Sequence, residues 1–180
     1  SACLDRNGIL WLGTNRGLNR LDPQTESIRV FVHSANDSTS LIHNRVLSIY
    51  EAKDGKIWVG TEGGGICIMD PVTEKFKPLI SGTRLPYSVV YAILQDNTGV
   101  FWFSTNKGLI SFEKEGKRFR AYSAADGLQG NEFHQNSALR TRDGKLYFGG
   151  IDGFNSFYPV DLVINSNPPK IILSEIYISN

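Results

Sequence analysis

The stretch DGKIWVGTEGG, residues 54–64, decides the fold because the chain repeats it. Its relatives are NGILWLGTNRG at 7–17, NTGVFWFSTNKG at 97–108 and RDGKLYFGGIDG at 142–153. The turn glycines Gly8, Gly55, Gly99 and Gly144 are spaced by 47, 44 and 45 residues. An aromatic ring follows three places on, at Trp11, Trp58, Trp102 and Tyr147, and two places further stand Gly13, Gly60, Ser104 and Gly149. Another glycine then recurs at Gly17, Gly65, Gly108 and Gly153, followed by apolar Leu18, Ile66, Leu109 and Phe154. Self-similarity at such a period marks a repeat architecture in which each copy is one supersecondary unit.

Within the second copy, RVLSIYEA (45–52), KIWVGT (56–61), ICIMD (66–70) and KFKPL (75–79) read as short strands separated by turn residues. SIRVF (27–31) and KRFRAY (117–122) supply the matching fourth strand in two other copies. The second strands ILWL, KIWV, VFWF and KLYF are almost continuously apolar. A strand with one wet face alternates, so a continuous run predicts cover on both faces, as in sheets packed face to face. The expected fold is all-β: a partial β-propeller of about four blades, each a four-stranded antiparallel sheet. Blade material spans 1–160, divided at about 1–32, 44–80, 87–122 and 135–160. The last copy lacks the outer strand of the others, and 161–180 reads as a linker containing Asn-Pro-Pro followed by a new strand, KIILSEIYIS.

With 41% hydrophobic and 21% charged residues among 180, the composition is that of a globular domain, able to bury roughly 70% of its unfolded surface. The formal charge of +1, without a basic stripe, argues against a nucleic-acid partner. No apolar run approaches the roughly 18 residues of a membrane span, and no signal peptide opens the sequence. Cys3 and Cys67 lack metal or redox spacing and read as small buried hydrophobes.

The repeat resembles the two-component regulator propeller family, whose pattern runs Asp-Gly, Leu/Ile-Trp-Ile-Gly-Thr, a Gly-rich turn and Gly-Leu. DGKIWVGTEGGGICIMD (54–70) follows it nearly throughout. The last copy, with DGL, NEF, YFGG and GFN between 126 and 155, is similar to that family's closing blade. Tyr147 in place of tryptophan and Gly150 in place of threonine are the departures. The resemblance implies the periplasmic sensor region of a hybrid two-component histidine kinase, part of an inner-membrane protein that responds to glycan or oligosaccharide fragments. It implies that residues 161–180 begin a small immunoglobulin-like domain named for three tyrosines. The fragment is then no enzyme and holds no cofactor, ATP being used by the kinase domain of the parent. A family ring has about seven blades, so four blades leave apolar faces open to the parent's remaining blades or, in isolation, to another copy of the chain.

Catalytic patterns are missing. His33, His43 and His134 show no metal-ligand spacing, and neither a nucleophile elbow nor a phosphate loop occurs. Asp96 to Gly99 lacks the ligand alternation of a calcium loop. In a propeller the loops between second and third strands and those between blades share one ring face. They offer Asn15, Arg16, Glu62, Asn106, Lys107 and Asp152, with Asn131 and Glu132 read either as ligand contacts or as closing-blade contacts. Phe133 or Tyr87 would add the apolar face that a sugar needs. Two other classes compete with the sensor: a glycan hydrolase or lyase, which needs carboxylates converging in the channel, and a protein-interaction scaffold. The Gly-His and Trp-Asp pairs of WD repeats are absent.

Overall fold

Gly8, Gly55, Gly99 and Gly144 each close a tight turn by donating their N–H to the carbonyl three residues back, at 2.9–3.3 Å for Asp5, Ala52, Asp96 and Thr141. All four have φ between +78° and +96°, a region that residues with a Cβ resist. The turn joins an inner strand to the aromatic-bearing second strand, and the same unit is built four times. The structure, a computed structural model, describes residues 1–80 and 88–162. Tyr87 and the strand expected after residue 169 lie outside the described residues.

The first sheet orders β1 (Ala2–Leu4), β2 (Leu10–Thr14), β3 (Gly17–Asp22) and β4 (Ser27–Phe31) side by side, all antiparallel. The second holds β5 (Val46–Glu51), β6 (Ile57–Thr61), β7 (Ile66–Asp70) and β8 (Lys75–Pro78). The third holds β9 (Val90–Gln95), β10 (Phe101–Thr105), β11 (Gly108–Glu113) and β12 (Arg118–Tyr122). The fourth has three strands among the described residues, β13 (Phe133–Arg140), β14 (Leu146–Gly150) and β15 (Gly153–Phe157). The chain is all-β, and the four sheets stand as propeller blades with each first strand innermost.

Side chains alternate across a strand, so each blade has a leading face, turned to the next blade, and a trailing face. Trp11 leads into the core with Val46, Ile57, Val59 and Met69 of the second blade. Trp58 leads into the core with Phe101, Phe103 and Phe112 of the third, stacked on Phe101 at 3.8 Å between ring centroids. Trp102 leads into the core with Leu146 and Phe148 of the fourth. Both middle second strands, β6 and β10, are buried at every residue. The two end strands, β2 and β14, are only partly covered because each borders one neighbouring sheet. Close approach at these interfaces explains the strand glycines: a Cβ on Gly60 would sit 2.2 Å from Ser48 Oγ and 2.9 Å from Val90 Cγ1 of the next blade.

A carboxylate ties turn to ring in two blades. Asp5 accepts from the backbone N–H of Asn7 and Ile9 through Oδ1 and from Trp11 Nε1 through Oδ2, at 2.8 Å. Asp96 does the same for Thr98, Val100 and Trp102 Nε1, the last at 3.0 Å. In the second blade the corresponding residue is Ala52, and the buried Trp58 Nε1 has no partner. An acceptor is therefore missing at one of three equivalent sites. In the third blade, Asp96→Ala is expected to cost about 2 kcal/mol, because Thr98 N–H and Oγ1, Val100 N–H and Trp102 Nε1 all lose their acceptor. Ala52→Asp is expected to gain about 1 kcal/mol by capping the orphaned indole. Urea unfolding of the two variants beside wild type measures both signs.

Cys3 and Cys67 are both free thiols packed in the core between the first and second blades. Burial pushes the Cys67 thiol up to about 12, and partial burial also raises Cys3. Since thiolate is the reactive form, Cys67 is expected to resist a maleimide at pH 8 until the protein unfolds. Mass spectrometry after native and denatured labelling reads this directly.

Candidate functional site

The recurring glycine at the start of each third strand builds the upper face. Gly17 donates its N–H to Asn44 O and Gly108 to Asn131 O, both at 2.7 Å; Gly63 and Gly65 both donate to Ser88 O, at 2.7 and 3.1 Å. Each acceptor sits in the connector just before the next inner strand. The turns between second and third strands are thereby stitched to the loops between blades, and the two sets share one face, as expected from the sequence.

The sequence-predicted residues divide by how they are held on that face. Asn15, Arg16 and Lys107 are exposed, and the backbone N–H groups of Arg16 and Lys107 are fixed by Thr14 and Thr105 hydroxyls. Asn106 is half-buried, and its side-chain oxygen is buried without a partner. Glu62 accepts from Arg45 Nη1 at 2.6 Å, and its backbone N–H bonds Arg45 O. Asp152 is exposed, with its N–H on Gln129 Oε1 at 2.8 Å.

Asn131 serves the closing blade: its side-chain oxygen caps Ala124 N at 2.8 Å while its carbonyl takes Gly108 N–H. Around it, Gln129 bonds Asn155 Oδ1 through its backbone and Glu132 O through its amide. Asn155 Nδ2 returns to Gly127 O, and Ser123 and Asp126 form a capping box on a single 3₁₀ turn. The DGLQGNEF and GFN segments are thus two halves of one hydrogen-bonded lock. The histidines His33 and His43 are pinned within their own connector, His33 Nδ1 to Leu41 O and His43 Nδ1 to Arg45 N.

Two residues that sequence reasoning missed, Tyr91 and Gln135, add to the face. The inner strands carry register breaks at equivalent places: between Val46 and Ser48, opposite the Ser104/Thr105 step, and between Phe133 and Ala138. Such bulges re-aim side chains at the rim of a sheet. The first leaves Leu47 unpaired, the second Tyr91 and the third His134 to Ser137. Gln135 Nε2 then reaches Leu47 O at 3.0 Å, from the fourth blade to the second, crossing the inner side of the third. Burial pushes the Tyr91 phenol above its ordinary value, and the carboxylates of Glu132 and Glu62 push it the same way. Glu62 bridges Val89, two residues before Tyr91, and pairs with Arg45, while Tyr91 packs against the cluster that holds Phe133, next to Glu132, so these polar groups lie near one another on this face. Period-two patterning carries no mark for a bulge, which is why Tyr91 and Gln135 pass for ordinary strand residues in the sequence.

One cleft described by the structure lies elsewhere, with a volume of about 520 Å³ between the third and fourth blades. Trp102, Ser111, Arg120 and Tyr122 line one side and Pro159, Val160 and Leu162 another.

With this geometry in hand, the relatives take their place. Residues 40–63 and 84–107 match the two component regulator propeller family. Over 98% of its length the chain is 31% identical to histidine kinase P4 of Formosa agariphila, of which it spans 13%. Its fold superposes with a TM-score of 0.71 and 25% identity on the extracellular domain of BT4673 from B. thetaiotaomicron, assigned to a hybrid two component system. That match covers 88% of this chain and 23% of the other. The extracellular domain of BT3049 from the same organism, at 20% identity and a TM-score of 0.58, shares the fold, over 92% of this chain and 28% of that one. Residues 40–63 and 84–107 thus carry regulator propeller repeats, and the chain spans a small part of each of these three proteins.

Removing Asn131 and removing a free loop residue should therefore differ. Asn131→Ala is expected to cost about 1 kcal/mol through the lost cap, whereas Asn15→Ala and Lys107→Ala stay within about 0.5 kcal/mol. Thermal and urea melts of the three variants separate closing-blade structure from solvated loop.

Proposed function

We propose that this chain is a non-catalytic part of the extracytoplasmic sensor region of a hybrid two-component histidine kinase, lying in the periplasm and belonging to an inner-membrane protein. Its role is to bind, or help to bind, a glycan or oligosaccharide fragment and to pass the resulting rearrangement toward the membrane. The observation that carries this reading is sequence similarity to a histidine kinase along almost the whole chain, on a fold shared with extracellular domains of two-component systems. The kinase chemistry, with its ATP, belongs to other parts of the parent.

The polar groups of the upper face suit such a ligand. A sugar needs fixed donors and acceptors beside an apolar ring face; Tyr91 offers a phenol, Glu132 an exposed carboxylate and Arg45 a guanidinium already oriented by Glu62.

A panel of oligosaccharides screened by thermal shift against the intact extracytoplasmic region tests the proposal. One of them is expected to raise the melting temperature without being cleaved. Tyr91→Phe combined with Glu132→Gln is expected to weaken that binding about tenfold in titration calorimetry, equal to about 1.4 kcal/mol. Turnover of the sugar would overturn the non-catalytic reading, and unchanged affinity would move the ligand away from this face.

A further inference from the structure

Three inner strands break register at the same step, opposite the glycine or serine that stands two places after the ring, but they do not insert the same length of chain. In the second blade Leu47 alone stands between Val46, paired with Thr61, and Ser48, paired with Gly60. In the third, Tyr91 alone stands between Val90, paired with Thr105, and Ala92, paired with Ser104. In the fourth, Phe133 pairs with Gly150 and Ala138 with Phe148, and Ser137 lies against Gly149, where an added Cβ would sit 3.1 Å from Ser137 Cβ. Ser137 is therefore the counterpart of Ser48 and Ala92. His134, Gln135 and Asn136 together take the place of the single residue Leu47 or Tyr91. Asn136 turns this insertion back with φ of +59°, a left-handed conformation that asparagine adopts more readily than most residues.

The insertion reaches across the blades. Gln135 Nε2 donates to Leu47 O at 3.0 Å, and β9, which carries Tyr91, lies between β5 and β13 in contact with both. Leu47 is the residue that the bulge leaves out of the ladder, and the amide gives its carbonyl a partner. With Nε2 spent on the protein, the amide plane is fixed. Oε1, which has no donor among the described residues, is left as an oriented acceptor. The charged groups nearby accept as well: Glu132 and Glu62 are carboxylates, and Arg45 is already paired with Glu62 at 2.6 Å. Burial, then Glu132 and Glu62, keep the Tyr91 phenol protonated and able to donate.

We propose that Gln135 is a ligand-positioning residue whose Oε1 accepts from a hydroxyl of an uncharged sugar unit lying beside Tyr91. The proposal rests on the sensor function above and names the class of sugar unit at this point. A sugar hydroxyl donates to one partner and accepts from another, so a single unit can give a proton to Gln135 Oε1 and take one from Tyr91. A uronate or sulfate group brings acceptor oxygens only. Placed against Gln135 Oε1, Glu62 and Glu132, it loses its water without gaining the donors that an anion needs. A site built to hydrogen-bond a hydroxyl rejects a partner without that donor, because the site's own polar groups are then left unpaired.

The test divides the oligosaccharides offered to the intact extracytoplasmic region by charge. Neutral gluco-, manno-, xylo- and galacto-oligosaccharides form one arm, and oligogalacturonates, oligomannuronates and sulfated fragments the other. The melting temperature is expected to rise in the neutral arm alone. Titration calorimetry with the best neutral binder then compares two variants. Gln135→Ala removes both the bridge to Leu47 O and the acceptor, whereas in Gln135→Lys the ammonium can still donate to Leu47 O and only the acceptor is lost. Both are expected to bind about tenfold more weakly than wild type. If circular dichroism shows Gln135→Ala misfolded, Gln135→Lys carries the comparison alone. Wild-type affinity in Gln135→Lys would reduce the residue to a structural bridge and overturn the proposal. A binder from the acidic arm would overturn it while leaving the sensor function standing, and no shift in either arm would overturn both.

Discussion

A large aromatic ring pressed onto the second strand of the next sheet is the contact on which this molecule depends. Trp58 and Phe101 are the tightest instance, with 3.8 Å between centroids, and Phe103 and Phe112 extend the same cluster. Twisted sheets packed face to face leave little room between them, so a ring at that place demands a bare backbone beside it. Gly60 provides it: the strand passes next to Ser48 and Val90 with no space for a side chain. Most of the burial follows from this one contact, because it sets the spacing at which all other side chains of the two faces meet.

The ring also couples packing to backbone polarity. An indole buried between sheets brings its N–H with it, and an unpaired donor there is costly. Asp5 and Asp96 answer by accepting that N–H and the turn's amides together, so that hairpin geometry and interface geometry are settled by one carboxylate. The second blade leaves its indole unpaired behind the best stacking in the molecule. We have no physical account of why Ala52 is tolerated there beyond that stacking.

The proposed recognition face lies at the opposite end of the blades. Connectors and turns are held to each other by glycine N–H groups on carbonyls, which leaves side chains free to face solvent on a rigid support. Bulged inner strands then carry Tyr91 and Gln135 to the channel, close to Glu62 and Glu132. Loops on a stitched scaffold and side chains re-aimed by bulges are the combination from which recognition sites are made. The closing segment around Gln129 and Asn155 is its counterpart, held by hydrogen bonds between its two halves.

Much of this was written in the residues. Periodicity of Gly, Trp and Gly defined the blades, the unbroken apolar second strands announced two covered faces, and Asn131 was read either as a ligand contact or as a closing-blade contact. Asp5 and Asp96 were visible six residues before their tryptophans but did not recur in the other two copies, so the clasp stayed hidden. Tyr91 and Gln135 could not be found, since a bulge leaves no trace in hydrophobic alternation. What the chain alone determined is the unit: local turn chemistry and strand pattern act over a few residues and survive in every copy. What only the tertiary structure decided is which units meet and which side chains face the channel, because packing between blades and breaks in register join residues more than forty positions apart.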